Sequence, residues 1–136
     1  MPFIEDVITV LTDAGVGTYP TTIMATSAAK IPDTLPSGGL VHLHEYGGSA
    51  PERTHNRISP PAYQNPALQI KVRGATYSEA RTKARAAYNA LEGIRNVTIG
   101  GTFYRHIKVN QEPFDMGLDN AGRPTVGFNV SATLQP

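Results

Sequence analysis

The sequence predicts an α/β fold of the α+β type, with two helices and six strands in the order α-β-β-β-α-β-β-β over one domain, residues 1–136. Three observations carry that expectation. Residues 66–74 alternate cleanly, with Leu68, Ile70 and Val72 on one face and Gln69, Lys71 and Arg73 on the other, the period-two signature of a half-buried strand. Directly after Gly74, Thr76-Tyr-Ser-Glu79 has the form of a capping box and opens a helix expected over Tyr77–Glu92. Residues 125–134 alternate without a break, Val126, Phe128, Val130, Ala132 and Leu134 against Gly127, Asn129, Ser131 and Thr133.

The remaining elements follow from the same periodicities. Phe3, Ile4, Val7, Ile8 and Leu11 recur at helical spacing. Glu5 and Asp6 suit the positive end of that helix, and Gly15 stops it. Residues 21–27 form a short strand-like run ahead of Pro32 and Pro36. Residues 39–46 read as a strand, with Val41 and Leu43 inward and His42, His44 and Tyr46 on the opposite face. Residues 47–65 carry Pro51, Pro60 and Pro61 and no periodicity, so a long loop is expected there. In the helix 77–92 the inward residues are Tyr77, Ala80, Ala84, Ala87, Tyr88 and Leu91, and Arg81, Lys83, Arg85 and Asn89 point outward. The small alanines allow the helix axis to lie close to a sheet. Glu79 and Lys83 are spaced for an i,i+4 ion pair, and Gly93 supplies the left-handed stop. A short strand at 96–99, a turn at Gly100-Gly101 and a strand at 103–110 with Ile107 and Val109 inward precede the turn 119–124 that leads into the last strand.

Composition narrows the functional classes. A net charge of +1, from 12 basic and 11 acidic residues, gives no broad basic field for nucleic acid and no polybasic membrane patch. No apolar run approaches the ~20 residues of a spanning helix, so no membrane partner is expected. The absence of cysteine removes disulfides, thiolate metal sites and cysteine nucleophiles. Met1-Pro-Phe-Ile-Glu-Asp6 opens on an acidic pair, unlike the basic start of a secretory signal.

No catalytic constellation is visible, and no catalytic, cofactor-binding or metal-binding residue is assigned. Ser49, Ser59 and Ser78 lack the frame of a nucleophile elbow. Gly38-Gly39 and Gly100-Gly101 are turn glycines without the Lys-Ser/Thr of a phosphate cradle. Glu5-Asp6 and the pair Glu112 and Asp115 have cap and turn explanations. His42, His44, His55 and His106 lack acidic partners at ligand spacing and are expected to be ordinary surface histidines. Asp115, Asp119 and Asn120 lack the spacing and terminal glutamate of a calcium loop.

A succession of short motifs resembles the tail-terminator family of long-tailed bacteriophages, also called minor capsid or tail-completion proteins. They are Gln69-Ile-Lys-Val-Arg-Gly74, Tyr77-Ser-Glu-Ala80, Tyr88-Asn-Ala-Leu-Glu-Gly93, Ile99-Gly-Gly-Thr-Phe-Tyr104, Gln111-Glu-Pro-Phe-Asp-Met-Gly117, Asp119-Asn-Ala-Gly-Arg123 and Phe128-Asn-Val130. They cover about half the chain in the family's strand, helix, strand, strand order; the long loop 47–65 matches none of them. The resemblance implies a largely antiparallel sheet packed against the helices. It also implies a homo-oligomer, a hexameric ring that caps the tail tube, stops its polymerisation and offers a joining surface for the head. Its partners would be the tail-tube protein on one face and a head-completion or connector protein on the other, with viral DNA passing through the lumen without sequence-specific binding. The setting would be the tail-neck junction of the virion, after assembly in the host cytoplasm. No enzyme activity and no cofactor are implied.

Within that frame Arg53, His55 and Arg57 are candidates for an arm that contacts a neighbouring subunit or the tube, against the plainer reading of a solvent loop. Arg81, Lys83 and Arg85 are candidates for the lumen or an acidic neighbour, against a solvated helix face. Two alternatives stand beside the terminator: another neck or head-tail connector component, and a small nucleic-acid-binding module using Arg81, Arg85 and Tyr104. The near-zero net charge speaks against the second.

Overall fold

The computed structural model describes residues 2–25, 35–36, 38–52 and 63–135. Helix α1 (Pro2–Asp13) leads into strands β1 (Ile23–Ala25), β2 (Leu40–Glu52) and β3 (Tyr63–Arg73), then helix α2 (Tyr77–Leu91) and strands β4 (Ile94–Ile99), β5 (Thr102–Val109), β6 (Phe114–Leu118) and β7 (Pro124–Gln135). The seven strands form one sheet in the order β1-β2-β3-β7-β5-β4, with β6 paired to β7 off that path. Only β1 runs parallel to its neighbour; the other pairs are antiparallel. The α+β architecture with two helices and a mostly antiparallel sheet is therefore the one expected.

Both helices lie on the face defined by the even residues of β3 and β7. Leu68, Ile70 and Val72 stand opposite Val130, Phe128 and Val126, and Ile107 and Tyr104 of β5 stand opposite Ala132 and Leu134. All of these side chains are buried in one cluster with Phe3, Ile4, Val7 and Leu11 of α1 and Ala80, Ala84, Ala87 and Leu91 of α2. The α2 alanines do what their spacing requires: with no bulk beyond Cβ, the helix settles onto the sheet and Tyr88 meets Phe128 edge-on, ring centroids 6.0 Å apart. Thr76 caps α2 by accepting from the Glu79 amide at 3.1 Å.

Several boundaries differ from expectation. Residues 47–52 and 63–65, expected in the long loop, are strand, because β2 continues through Gly47 to Glu52 and β3 starts at Tyr63; residues 53–62 of that expected loop lie outside the described residues. Alternation is lost there because the register slips between Tyr46 and Ser49 and again between Ser49 and Glu52, and a bulged strand does not keep a period of two. At Gly48 a Cβ would run into the carbonyl oxygen of Asn65 on the neighbouring strand, so only glycine permits that approach. β6 is an additional strand, missed because five residues with Gly117 in the left-handed region carry too little pattern. Tyr77, assigned inward, is exposed at the first position of α2. Val109, likewise assigned inward, is half-buried at the end of β5. Lys83 does not depend on Glu79; its Nζ donates to the Val16 carbonyl at 2.6 Å and ties α2 to the segment after α1.

Ala84 is fully buried where α2 meets the sheet. Ala84→Leu is expected to cost about 1–3 kcal/mol by overpacking, read as a lowered denaturation midpoint with unchanged slope; an unchanged midpoint would contradict the assigned packing.

Candidate functional site

Among the described residues, the polar chemistry collects in three places. The first is the sheet face opposite the helices, at the end of β3. Asp119, in the turn between β6 and β7, binds Arg73 Nε at 3.2 Å and Arg123 Nε at 2.9 Å through the same carboxylate oxygen. Its other oxygen accepts from the amides of Ala121 and Arg123 at 3.0 and 2.9 Å. Partial burial alone would raise the Asp119 pKa, but the hydrogen bonds from Arg123 and Ala121 outweigh it and hold the carboxyl below its usual range. This cluster borders an open cleft of about 420 Å³, also lined by Lys71, Met116 and Leu118. Asp119, rejected as part of a calcium loop, thus folds the turn around two arginines.

Next to it, on β2, His42 and His44 stack with ring centroids 3.9 Å apart. His42 is only 3% exposed, so the expectation of a surface histidine fails there. The sheet continues past it on both sides, and Arg73 Nη1 lies 3.4 Å from its Nδ1. Burial first, then the positive charges of His42, Lys71 and Arg73, bring the His44 pKa down to about 4. His106 is half-buried, with Nε2 3.4 Å from the Thr133 hydroxyl. Among the described residues no three His, Asp or Glu side chains converge as a metal site would require.

The second place is a buried pair that the sequence reading missed. Asp6, assigned to the helix N-terminus, is 5% exposed and accepts the Tyr104 hydroxyl at 2.5 Å. Burial, then the Asp6 carboxylate, push the Tyr104 pKa upward. Tyr104 is fully buried and therefore unavailable as the strand aromatic of a nucleic-acid module. The only sequence hint was an acidic residue on the apolar side of α1, between Phe3 and Val7.

The third place is the outer face of α2. Arg81 donates to the Pro113 carbonyl at 2.9 Å. Arg85 binds Glu112 at 3.0 Å and lies 4.7 Å above the Tyr88 ring. Bonded to Arg85 and Tyr88, Glu112 has a lowered pKa. Arg81, Lys83 and Arg85 thus lie on one helix but each has an intramolecular partner, bracing the segments before β1 and β6. Arg53, His55 and Arg57 lie outside the described residues.

The model of the bacteriophage tail terminator protein family matches residues 10–136. The chain belongs to that family. It is accordingly a structural protein of the virion tail, built to assemble with other tail proteins. Among solved structures, a chain from the virion of a native gene transfer agent particle superposes with a TM-score of 0.58 at 14% identity, covering 96% of this terminator and 92% of that chain; this is a likeness of fold. A second solved chain gives a TM-score of 0.48 at 14% identity over 97% and 96%. No curated protein sequence matches the chain. No helix among the described residues is long and apolar enough to cross a membrane.

Asp119→Ala is expected to cost about 2–4 kcal/mol, because it strips two arginines and two turn amides of their acceptor at once; a chemical-denaturation midpoint equal to wild type would refute that role. His44 carries a pH signature of defined sign. Its folded pKa of about 4 lies below the ordinary histidine value of 6.5, so between these values the unfolded chain binds more protons. Stability is then full above about 6.5 and falls as pH drops toward about 4. His44→Gln should flatten that slope in thermal melts across the window.

Proposed function

We propose that this terminator closes into a hexameric ring on the last layer of the tail tube, stops tube polymerisation and presents its opposite face to a head-completion or connector protein. The observation that carries the reading is the family match over residues 10–136. Nothing in the mechanism makes or breaks a bond: one surface fits the tube, and the other is a surface that the tube protein cannot extend. The ring sits at the tail-neck junction, and viral DNA passes through its lumen.

The sheet has the asymmetry a ring requires. A closed ring is built from heterologous contacts, in which two different patches of one subunit meet across each interface. At one side of the sheet β1 pairs with Val41–Leu43 of the long β2, and among the described residues no strand pairs that edge of β2 beyond Leu43. On the other side of the central strand β7, β6 ends the sheet locally and exposes Phe114 and Leu118, 40% and 68% accessible. Large exposed apolar residues on a short edge strand suit a subunit contact. The β6 edge of one subunit against the β2 side of the next repeats around an axis without demanding self-complementarity.

Sedimentation velocity with negative-stain imaging of the purified chain tests this directly. Rings with a central hole are expected; a monomer at every concentration, absent from mature particles, would reject the reading. Phe114→Asp with Leu118→Asp should dissolve the rings while changing stability by no more than about 0.5 kcal/mol, as substitutions at exposed sites do.

A further inference from the structure

Net charge conceals a strong segregation of sign across the sheet. Cross-strand partners share a face, so the register assigns each charged strand residue a side. Lys71 and Arg73 pair with Gly127 and Thr125, Lys108 with Ser131, and Arg95 with His106, itself opposite Thr133; all stand on the face away from the helices. Arg105 joins them, its guanidinium 5.6 Å from the centre of the Tyr63 ring. Most carboxylates of the described residues go the other way. Glu45 pairs with Leu68 and Asp115 with Val126, both on the helix side, and Glu5, Asp6, Asp13, Glu79 and Glu92 are on or capping the helices. Glu112 turns to α2 to bind Arg85. Among the described residues with placed side chains, Asp119 is the one carboxylate on the helix-free face, and Arg73 and Arg123 already hold it.

We infer that this helix-free sheet face, rather than the outer face of α2, is the surface that meets the phosphate backbone of duplex DNA. The inference rests on the ring reading for the presence of DNA and goes beyond it in assigning the contact surface. Three properties favour this occupant. Lys71, Arg95 and Lys108 have no carboxylate partner among the described residues, whereas the α2 cations have intramolecular ones. Between Lys71 and Lys108 the face is polar: Gln69, Asn129, Ser131 and Thr133 occupy its centre, with Thr133 bonded to Asn65 and Ser131 to Asn110, while its apolar side chains, Phe114, Met116 and Leu118, are confined to the β6 edge. Protein interfaces have an apolar core; interfaces with nucleic acid are polar and strongly positive. The geometry also has the right scale. Lys71 and Lys108 are separated by two strand spacings and four residues along β7, on the order of 15 Å, which spans a ~12 Å major groove and reaches its bounding phosphates. A contact made through charge alone, with no base-reading element, holds DNA weakly and lets it slide.

The test is fluorescence anisotropy of a labelled random-sequence duplex with the full chain, its assembly read by sedimentation in the same samples. Binding is expected at 50 mM salt and should fall on the order of 10²-fold by 200 mM, as for roughly four neutralised phosphates. Lys71→Gln with Lys108→Gln should weaken binding about tenfold or more and lower the salt slope by about two. Arg95→Gln, at a separate exposed position, should act in the same direction, while Arg81→Gln with Lys83→Gln removes equal charge from α2 and should leave affinity unchanged. The inference is overturned if intact rings ignore duplex at 50 mM salt, or if the sheet and helix pairs lose affinity equally. It is also overturned if polyglutamate competes as well as duplex, which would point to an acidic protein instead. Absence of rings would count against the proposed function alone; DNA binding by unassembled chains with the same variant pattern would still support the face assignment.

Discussion

Two-sided pairing of β7 is the constraint on which the rest of the structure depends. Its whole length is bonded to β3 on one side, while on the other side its first half takes β6 and its second half takes β5. A strand in that position has no exposed edge, and because the helices cover one face of the sheet every second residue is apolar while the intervening ones stand on the opposite face. Gly127 shows how tightly this is set: a Cβ there would fall 2.6 Å from the Ile70 carbonyl oxygen and against Met116 of β6. The helices are then fixed by the apolar face of β7, and the charged strand residues are sorted by its register.

That sorting connects fold to function. A structural protein of the virion tail works through the surfaces it offers to the proteins it assembles with, and a sheet with both helices on one side has two faces of different character. The helix side holds the core and most carboxylates. The bare side carries Lys71, Arg73, Arg95, Arg105 and Lys108 around a polar centre. A nearly neutral chain can therefore present one strongly positive surface, which a count of charges conceals.

The charged residues of α2 illustrate the opposite case. By spacing alone, Arg81, Lys83 and Arg85 form a stripe available to a partner. In the folded chain their long side chains reach the Pro113 carbonyl, the Val16 carbonyl and Glu112, and so hold the connections before β1 and β6 against α2. Asp119 does the same for the turn before β7. These are local devices that shape the loops around a rigid sheet.

The sequence by itself determined the helices, the long alternating strands β3, β5 and β7, and the capped start of α2, because each obeys a period set by its own backbone geometry and needs only neighbours a few residues away. The motifs carried in those elements were enough to suggest the family. Tertiary structure alone decided the burial of Asp6 beneath Tyr104, the burial of His42, the partners of the α2 cations, the pairing of β6 and the continuation of β2 past Gly47. Each of those depends on residues brought together from far apart in the chain, or on a register slip, and neither leaves a local period to read. The segregation of charge belongs to both: alternation put Lys71 and Arg73 on one side of their strand, but only the pairing of β3, β7, β5 and β4 turned separate alternations into a single positive face.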